Sequence, residues 1–223
     1  MNMPKDVQQK LVSHPLFEGL GRSQRAWLFS TGESISLAKH DYLFHRGEQS
    51  GRLYVLLSGH IKLSIPAERG QEKVLEFLSA SDVFGESALL PEHSAIADAQ
   101  ALGPCELLAF TGKDVMAAVT RVPFFAQKIL TNLSKRVEAL FRDMESVSLL
   151  SAAQRVAEYL LRQPREGNQA RLPYHKRAIA SKLGLQPETF SRSLQQLAAD
   201  GLISVRGARV VILEPDKLQE MLI

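Results

Sequence analysis

Cysteine is nearly absent: Cys105 stands alone among 223 residues. One thiol cannot close a disulfide within a chain, nor can it supply the thiolates of a multi-cysteine zinc or iron–sulfur site. Cys105 falls in an apolar strand and reads as an inert core residue. Long apolar runs are missing too. None approaches the ~20 residues of a membrane span, and Met1–Lys10 has no apolar h-region of a secretory signal. No membrane association is expected, and a cytoplasmic location follows as the default. No nucleophile–base pair, metal-spaced His/Asp/Glu cluster or phosphate-cradling glycine loop is visible, so an enzyme is not expected.

What is present is a soluble globular composition, 45% apolar and 23% charged, long enough for two domains that each bury a core. The net charge of +3 is unevenly spread. Residues 1–150 hold 16 basic and 17 acidic side chains, and residues 151–223 hold 11 and 7. The basic balance therefore lies at the C-terminal end, where a nucleic-acid surface would be sought, although many solvated surfaces carry as much charge.

From Glu33 the chain is a series of short apolar runs cut by turn residues. Strands are expected at Ser34–Leu37, Tyr42–Phe44, Leu53–Leu57, His60–Ile65, Val74–Leu78, Val83–Phe84, Ile96–Leu102 and Glu106–Phe110. Eight short strands with tight connections suggest a small antiparallel roll or barrel. Short helices are expected before them at Val7–Leu11 and Ser23–Ser30, with Ser23 as N-cap, and after them at Thr111–Thr120.

Pro123–Leu150 then organises the chain. Ala126, Leu130, Leu133, Val137, Leu140, Met144 and Val147 recur at spacings of four and three, the a/d rhythm of a coiled coil. Pro123 suits a first helical turn, and the 28 residues would make a rod of roughly 40 Å. Lys128, Lys135, Arg136, Glu138, Arg142, Asp143 and Glu145 lie off the seam. The pattern allows a long helix packed on its own domain or a parallel seam between two copies of the chain.

The remainder reads as a compact helical unit: a helix at Ala152–Arg162, a polar loop at Pro164–Gln169, a strand at Arg171–Tyr174, helices at Lys176–Leu183 and Pro187–Asp200, and strands at Leu202–Val205 and Arg209–Leu213 around Gly207. Helix, Gly184-containing turn and helix make the helix-turn-helix plan, with an ordinary helical hairpin as the bland reading. Phe190, Leu194 and Leu197 form one apolar stripe of the second helix. Glu188, Ser191 and Arg192 share another face, in the first turns that meet base edges. Arginine can fork onto guanine O6 and N7, and glutamate can accept from a cytosine amino group, so the two could read one G·C pair.

These residues carry a resemblance. Glu188-Thr189-Phe190-Ser191-Arg192, with Asp200-Gly201-Leu202-Ile203 and the Gly207 hairpin, resembles the C-terminal domain of the CRP/FNR transcription regulators. Tyr54–Gly59, Asp82-Val83-Phe84-Gly85-Glu86 and Ala97–Leu102 resemble their cyclic-nucleotide-binding-type β-roll. The implied architecture is α+β: a sensor roll over 1–120, a dimerisation helix over 121–150 and a winged helix-turn-helix over 151–223. The resemblance implies a homodimer joined through Leu130, Leu133, Val137, Leu140, Met144 and Val147. It would bind a palindrome of double-stranded DNA, contact RNA polymerase and act mainly as an activator. Glu188, Thr189, Ser191 and Arg192 are the implied DNA-binding residues. The Glu-x-x-Ser-Arg pattern implies an FNR-type TTGAT half-site, with Arg192 on guanine, Glu188 on cytosine and Ser191 on a neighbouring base.

For the sensor, the family's nucleotide pocket implies Gly85, Glu86, His93 and Ser94 as effector-site residues. His93 stands where the family has an arginine for the cyclic phosphate, so cyclic-nucleotide binding is not expected. A single cysteine excludes the iron–sulfur branch. Ser13–Glu18, Gly70–Lys73 and Gln186–Arg192 resemble the dissimilatory nitrate respiration (DNR-type) regulators, which implies haem-based nitric oxide sensing. His14 is the implied axial ligand, with His60 and His93 behind it. There is no CxxCH, so a haem would be held without thioether bonds. A cyclic-nucleotide-dependent regulator and a DNA-binding dimer needing no ligand remain the competing readings.

Overall fold

The computed structural model describes residues 10–12, 14–67, 71–86, 94–163, 165–172 and 174–222, apart from the side chains at 165, 166, 170 and 171. The expectations for Ser13, the Glu68–Gly70 turn and His93 lie outside the described residues. So does most of the Val7–Leu11 helix, of which residues 10–12 are helical. The chain divides into two compact units, 1–136 and 137–223.

In the N-terminal unit, helix α1 (Arg22–Thr31) precedes eight strands: β1 (Glu33–Leu37), β2 (Tyr42–Phe44), β3 (Arg52–Ser58), β4 (His60–Pro66), β5 (Glu72–Ser79), β6 (Val83–Phe84), β7 (Asp98–Ala101) and β8 (Cys105–Thr111). They form two antiparallel sheets, ordered β1-β8-β3-β6 and β2-β7-β4-β5. Strand alternation sends neighbouring side chains to opposite faces. Leu53, Val55 and Leu57 of β3 accordingly join Leu16, Phe17, Leu28, Val115 and Phe125 in one core. Tyr54 and Leu56 join Phe44, Ile61, Leu78 and Phe84 in the other. A strand buried on both faces needs the continuous apolar run the sequence shows. Gly59 turns β3 into β4 at φ +91°, and a Cβ there would collide with the Pro104 carbonyl and Cys105. Cys105 is buried, its thiol donates to the His60 carbonyl at 3.3 Å, and burial raises its pKa.

Two expectations for this unit change. The first helix starts at Arg22, with Gly21 as N-cap, because Gln24 Oε1 accepts the Gly21 amide at 2.9 Å. Strand β7 starts at Asp98, and Ile96 is 78% exposed. The chain before β7 is held instead to the 46–48 turn, by Gly47 and Ala95 amides and by Asp98 Oδ1 accepting from the Arg46 amide.

Helix α2 (Gly112–Arg121) is capped by Thr111, whose hydroxyl accepts from the Asp114 amide at 3.2 Å. Helix α3 (Pro123–Leu149) follows without a break in its own hydrogen-bonding, and its residues belong to both units. In the C-terminal unit come α4 (Ala152–Arg162), β9 (Arg165–Glu166), β10 (Gln169–Arg171), α5 (Lys176–Lys182), α6 (Pro187–Ala199), β11 (Ile203–Arg206), β12 (Arg209–Ile212) and α7 (Pro215–Glu220). The expected loop at Pro164–Gln169 and strand at Arg171–Tyr174 are instead the β9–β10 hairpin, turned at Gly167 with φ +61°. These strands extend the wing to a four-stranded sheet, β11-β12-β10-β9. Val156, Leu160, Ile179, Phe190, Leu194, Leu197, Ile203, Val210, Ile212 and Leu218 are its core.

Candidate functional site

The second helix of the helix-turn-helix presents the expected face. Gly184 at φ +66° ends the turn of α5, the Leu185 amide donates to the Ala180 carbonyl, and Pro187 opens α6 at a position that needs no amide donor. Phe190, Ser193, Leu194 and Leu197 are buried, which turns the opposite side of α6 outward. Glu188, Ser191 and Arg192 are exposed together there, and Thr189 is half-buried beside them. Among the described residues neither Glu188 nor Arg192 has a partner side chain. Gln195, one turn further along, is exposed on the same face. The i+7 spacing from Glu188 was the available signal for it.

The wing adds cations that sequence reasoning passed over. Arg206 and Arg209 are directly opposite each other in the β11–β12 register. Arg206 and Arg209 are exposed around the Gly207-Ala208 turn. Like charges directly opposite in a sheet are unfavourable. Lys176 and Arg177 are exposed at the start of α5, whereas Lys182 forms an ion pair with Asp143.

The seam of α3 is largely uncovered in the single chain. Leu130 is 64% exposed, Leu140 57% and Met144 64%, with Val137 and Val147 also exposed. Leu133 differs: it is half-buried and packs against the core of the N-terminal unit beside Ile129. Phe141, unanticipated, is 63% exposed and widens the apolar stripe.

In the roll, Gly85 adopts φ +86°, and a Cβ there would meet the Arg52 carbonyl and the Tyr54 ring. Its glycine is thus required by the backbone itself. Glu86 is paired with Arg136 Nη1, and Arg136 Nη2 reaches Glu76 Oε2 at 2.8 Å. Burial works against the charge on Arg136, but the Glu86 and Glu76 carboxylates outweigh it and raise its pKa. Ser94 is half-buried.

His14 is buried, and its Nδ1 accepts from the Leu16 amide at 3.1 Å as N-cap of the Pro15–Phe17 turn. Burial lowers its pKa to about 4. An iron-ligating histidine binds through one nitrogen while the other donates its N–H. Here Nδ1 is an acceptor, so Nε2 carries the proton. As capped here, with Nδ1 an acceptor and Nε2 buried without a partner among the described residues, His14 does not offer a free lone pair to a haem, and the expectation is corrected accordingly. His60 is exposed at the start of β4.

Comparison with known proteins agrees with this architecture. A cyclic nucleotide-binding domain model matches residues 34–121, and a Crp-like helix-turn-helix domain model matches 154–221. The cyclic AMP receptor protein of Thermus thermophilus is 30% identical over 207 residues, 93% of this chain and 96% of that protein. The chain belongs to the CRP/FNR family of transcription regulators. Like other members, this regulator couples a sensor domain to a DNA-binding domain. The catabolite activator protein structure of Thermus thermophilus has a TM-score of 0.53 at 29% identity, covering 93% of this chain and 98% of that one. FixK2 of Bradyrhizobium japonicum shares the fold at TM-score 0.75 and 22% identity, over 85% of this chain and 96% of that one. Among the described residues no helix is long and apolar enough to cross a membrane.

Proposed function

We propose that this regulator works as a homodimer, joined along the exposed stripe of α3, that binds a TTGAT palindrome and mainly activates transcription through contact with RNA polymerase. The observation that carries the proposal is the face of α6. Glu188, Ser191 and Arg192 lie together in its first turns, exposed, with neither charge paired among the described residues. Charged groups left without partners keep their hydrogen-bonding capacity for base edges. The seam supports the dimer, because five exposed apolar side chains at a/d spacing are costly to leave in water. The test is titration of the purified protein onto a TTGAT palindrome, the palindrome with its half-sites scrambled, and random DNA at fixed salt. Preference for the palindrome of about a thousandfold or more is expected, in the range of specific over non-specific binding. Equal affinity for all three would refute it.

Control by an effector in the roll is the second part of the proposal. The domain match over 34–121 and the similarity to the cyclic AMP receptor protein of Thermus thermophilus favour a cyclic nucleotide as a second reading. Glu86, where the family holds a ribose, is instead engaged by Arg136, next to Glu76. That guanidinium occupies the Glu86 carboxylate that a ribose hydroxyl would need. Calorimetric titration with cyclic AMP and cyclic GMP, followed by operator binding, decides between them. No heat and no change in DNA affinity is the expected result. Haem-based nitric oxide sensing through His14 is not adopted, given the tautomer its cap imposes.

A further inference from the structure

Within the C-terminal unit a single side chain ties together the ends of two helices. Arg155 lies in the first turns of α4. Its Nη2 donates to the Val147 carbonyl at 2.7 Å, its Nε to the Leu150 carbonyl at 3.0 Å, and its Nη1 to the Leu183 carbonyl at 3.3 Å. Val147 and Leu150 close the C-terminal end of α3, and Leu183 is the C-cap of α5. The last carbonyls of a helix have no amide partner of their own. A guanidinium supplies several donors in one plane and a positive charge at the negative end of each helix dipole.

Two further links lie beside this fork. Lys182 at the end of α5 pairs with Asp143 of α3, and the buried Ser146 hydroxyl of α3 donates to Glu158 of α4 at 2.6 Å. The helix that precedes α6 is therefore fixed to the last two turns of α3. Val147 belongs to both devices: its side chain is exposed on the seam while its carbonyl is held by Arg155.

We propose that Arg155 is a positioning residue that sets which half-site spacing the dimer accepts. The inference rests on the reading of the protein as an operator-binding dimer. Each base pair added between half-sites turns one of them by roughly 35° about the DNA axis. Reading heads fixed to the seam cannot follow that rotation, whereas loosened heads can.

The test uses the full chain, wild type and Arg155→Lys, on three DNAs. These are a TTGAT palindrome with half-sites one helical turn apart, the same palindrome with two base pairs inserted, and a single half-site. Lysine keeps the charge but cannot fork to three carbonyls. Wild type should lose about a hundredfold on insertion and Arg155→Lys about tenfold or less, with single half-site binding unchanged within about threefold. The pair D143N/S146A loosens the same junction from the α3 side with Arg155 in place, and should relax the penalty part-way. If both variants keep the wild-type penalty, the inference is overturned. It is also overturned if Arg155→Lys loses single half-site binding, since Arg155 would then hold the head's fold rather than its placement. A wild type that ignores the palindrome altogether would instead sink the operator-binding reading itself, a distinguishable result.

Discussion

The charged groups of the two units are handled in opposite ways. In the N-terminal unit Arg136 lies between Glu86 and Glu76, with about a quarter or less of each side chain exposed. In the C-terminal unit Glu188 and Arg192, four residues apart on one helix, are exposed and make no ion pair with each other or with any described neighbour. The first arrangement satisfies its charges internally and stiffens the roll. The second leaves charge unsatisfied at a surface, which a folded protein tolerates readily only in water or against a charged partner. A family motif thus marks different things in the two places. The Gly-Glu of the roll answers a backbone conformation and an internal salt bridge, and the charges of the Glu-x-x-Ser-Arg of α6 pair with none of the described residues.

The largest effect that could break this contrast lies in the seam, where the free groups are apolar. Leu140→Asp places like charges in both halves of the proposed dimer contact. Each large apolar side chain buried there contributes about 1.5–3 kcal/mol, and the new charge adds to the loss. Sedimentation should show a monomer, with affinity for the palindrome falling to that of a single half-site. Next is Arg136→Met, which takes from the half-buried Glu86 and Glu76 the guanidinium between them. The roll should lose about 2–3 kcal/mol in denaturant titration, with operator bases read as before. A drop in base discrimination instead would blur the comparison.

Acid gives an effect of similar size. His14 titrates near 4 in the folded chain because of burial, against about 6.5 unfolded. Between those values the unfolded state binds more protons, so stability falls as pH drops through the window. Above pH 6.5 the residue is neutral in both states and contributes nothing. The full loss is on the order of 3 kcal/mol, and His14→Gln should flatten the stability curve from pH 6.5 to 4. The smallest effect is at the wing. Removing Arg206 and Arg209 should weaken binding equally across DNA sequences and lower the salt slope by about one for each arginine.

Much of this was legible in the chain itself because it was written in periodicity. The run Leu53–Leu57, the alternation of Ile61, Leu63 and Ile65, and the stripe Phe190, Leu194, Leu197 each force one element type, and all three take the expected form. The β9–β10 hairpin was not visible, since its five strand residues, four of them charged or polar, carry no apolar alternation. Helix α7 is six residues long, too short for a helical period to show. Leu133 fits the seam by spacing, yet the same helix has a second apolar row, Phe125 and Ile129, that draws it toward the roll. The contacts of Arg155 are to carbonyls, which every residue possesses, so no side-chain pattern could announce them.

The most direct test of free charge as the reader of DNA crosses protein and operator. Wild type and Arg192→Ala are each titrated onto the TTGAT palindrome and onto one with the G·C pair of both half-sites inverted. Wild type should prefer the native palindrome by about 1–3 kcal/mol per half-site, and Arg192→Ala should bind both DNAs nearly alike. An undiminished preference in Arg192→Ala would contradict the account.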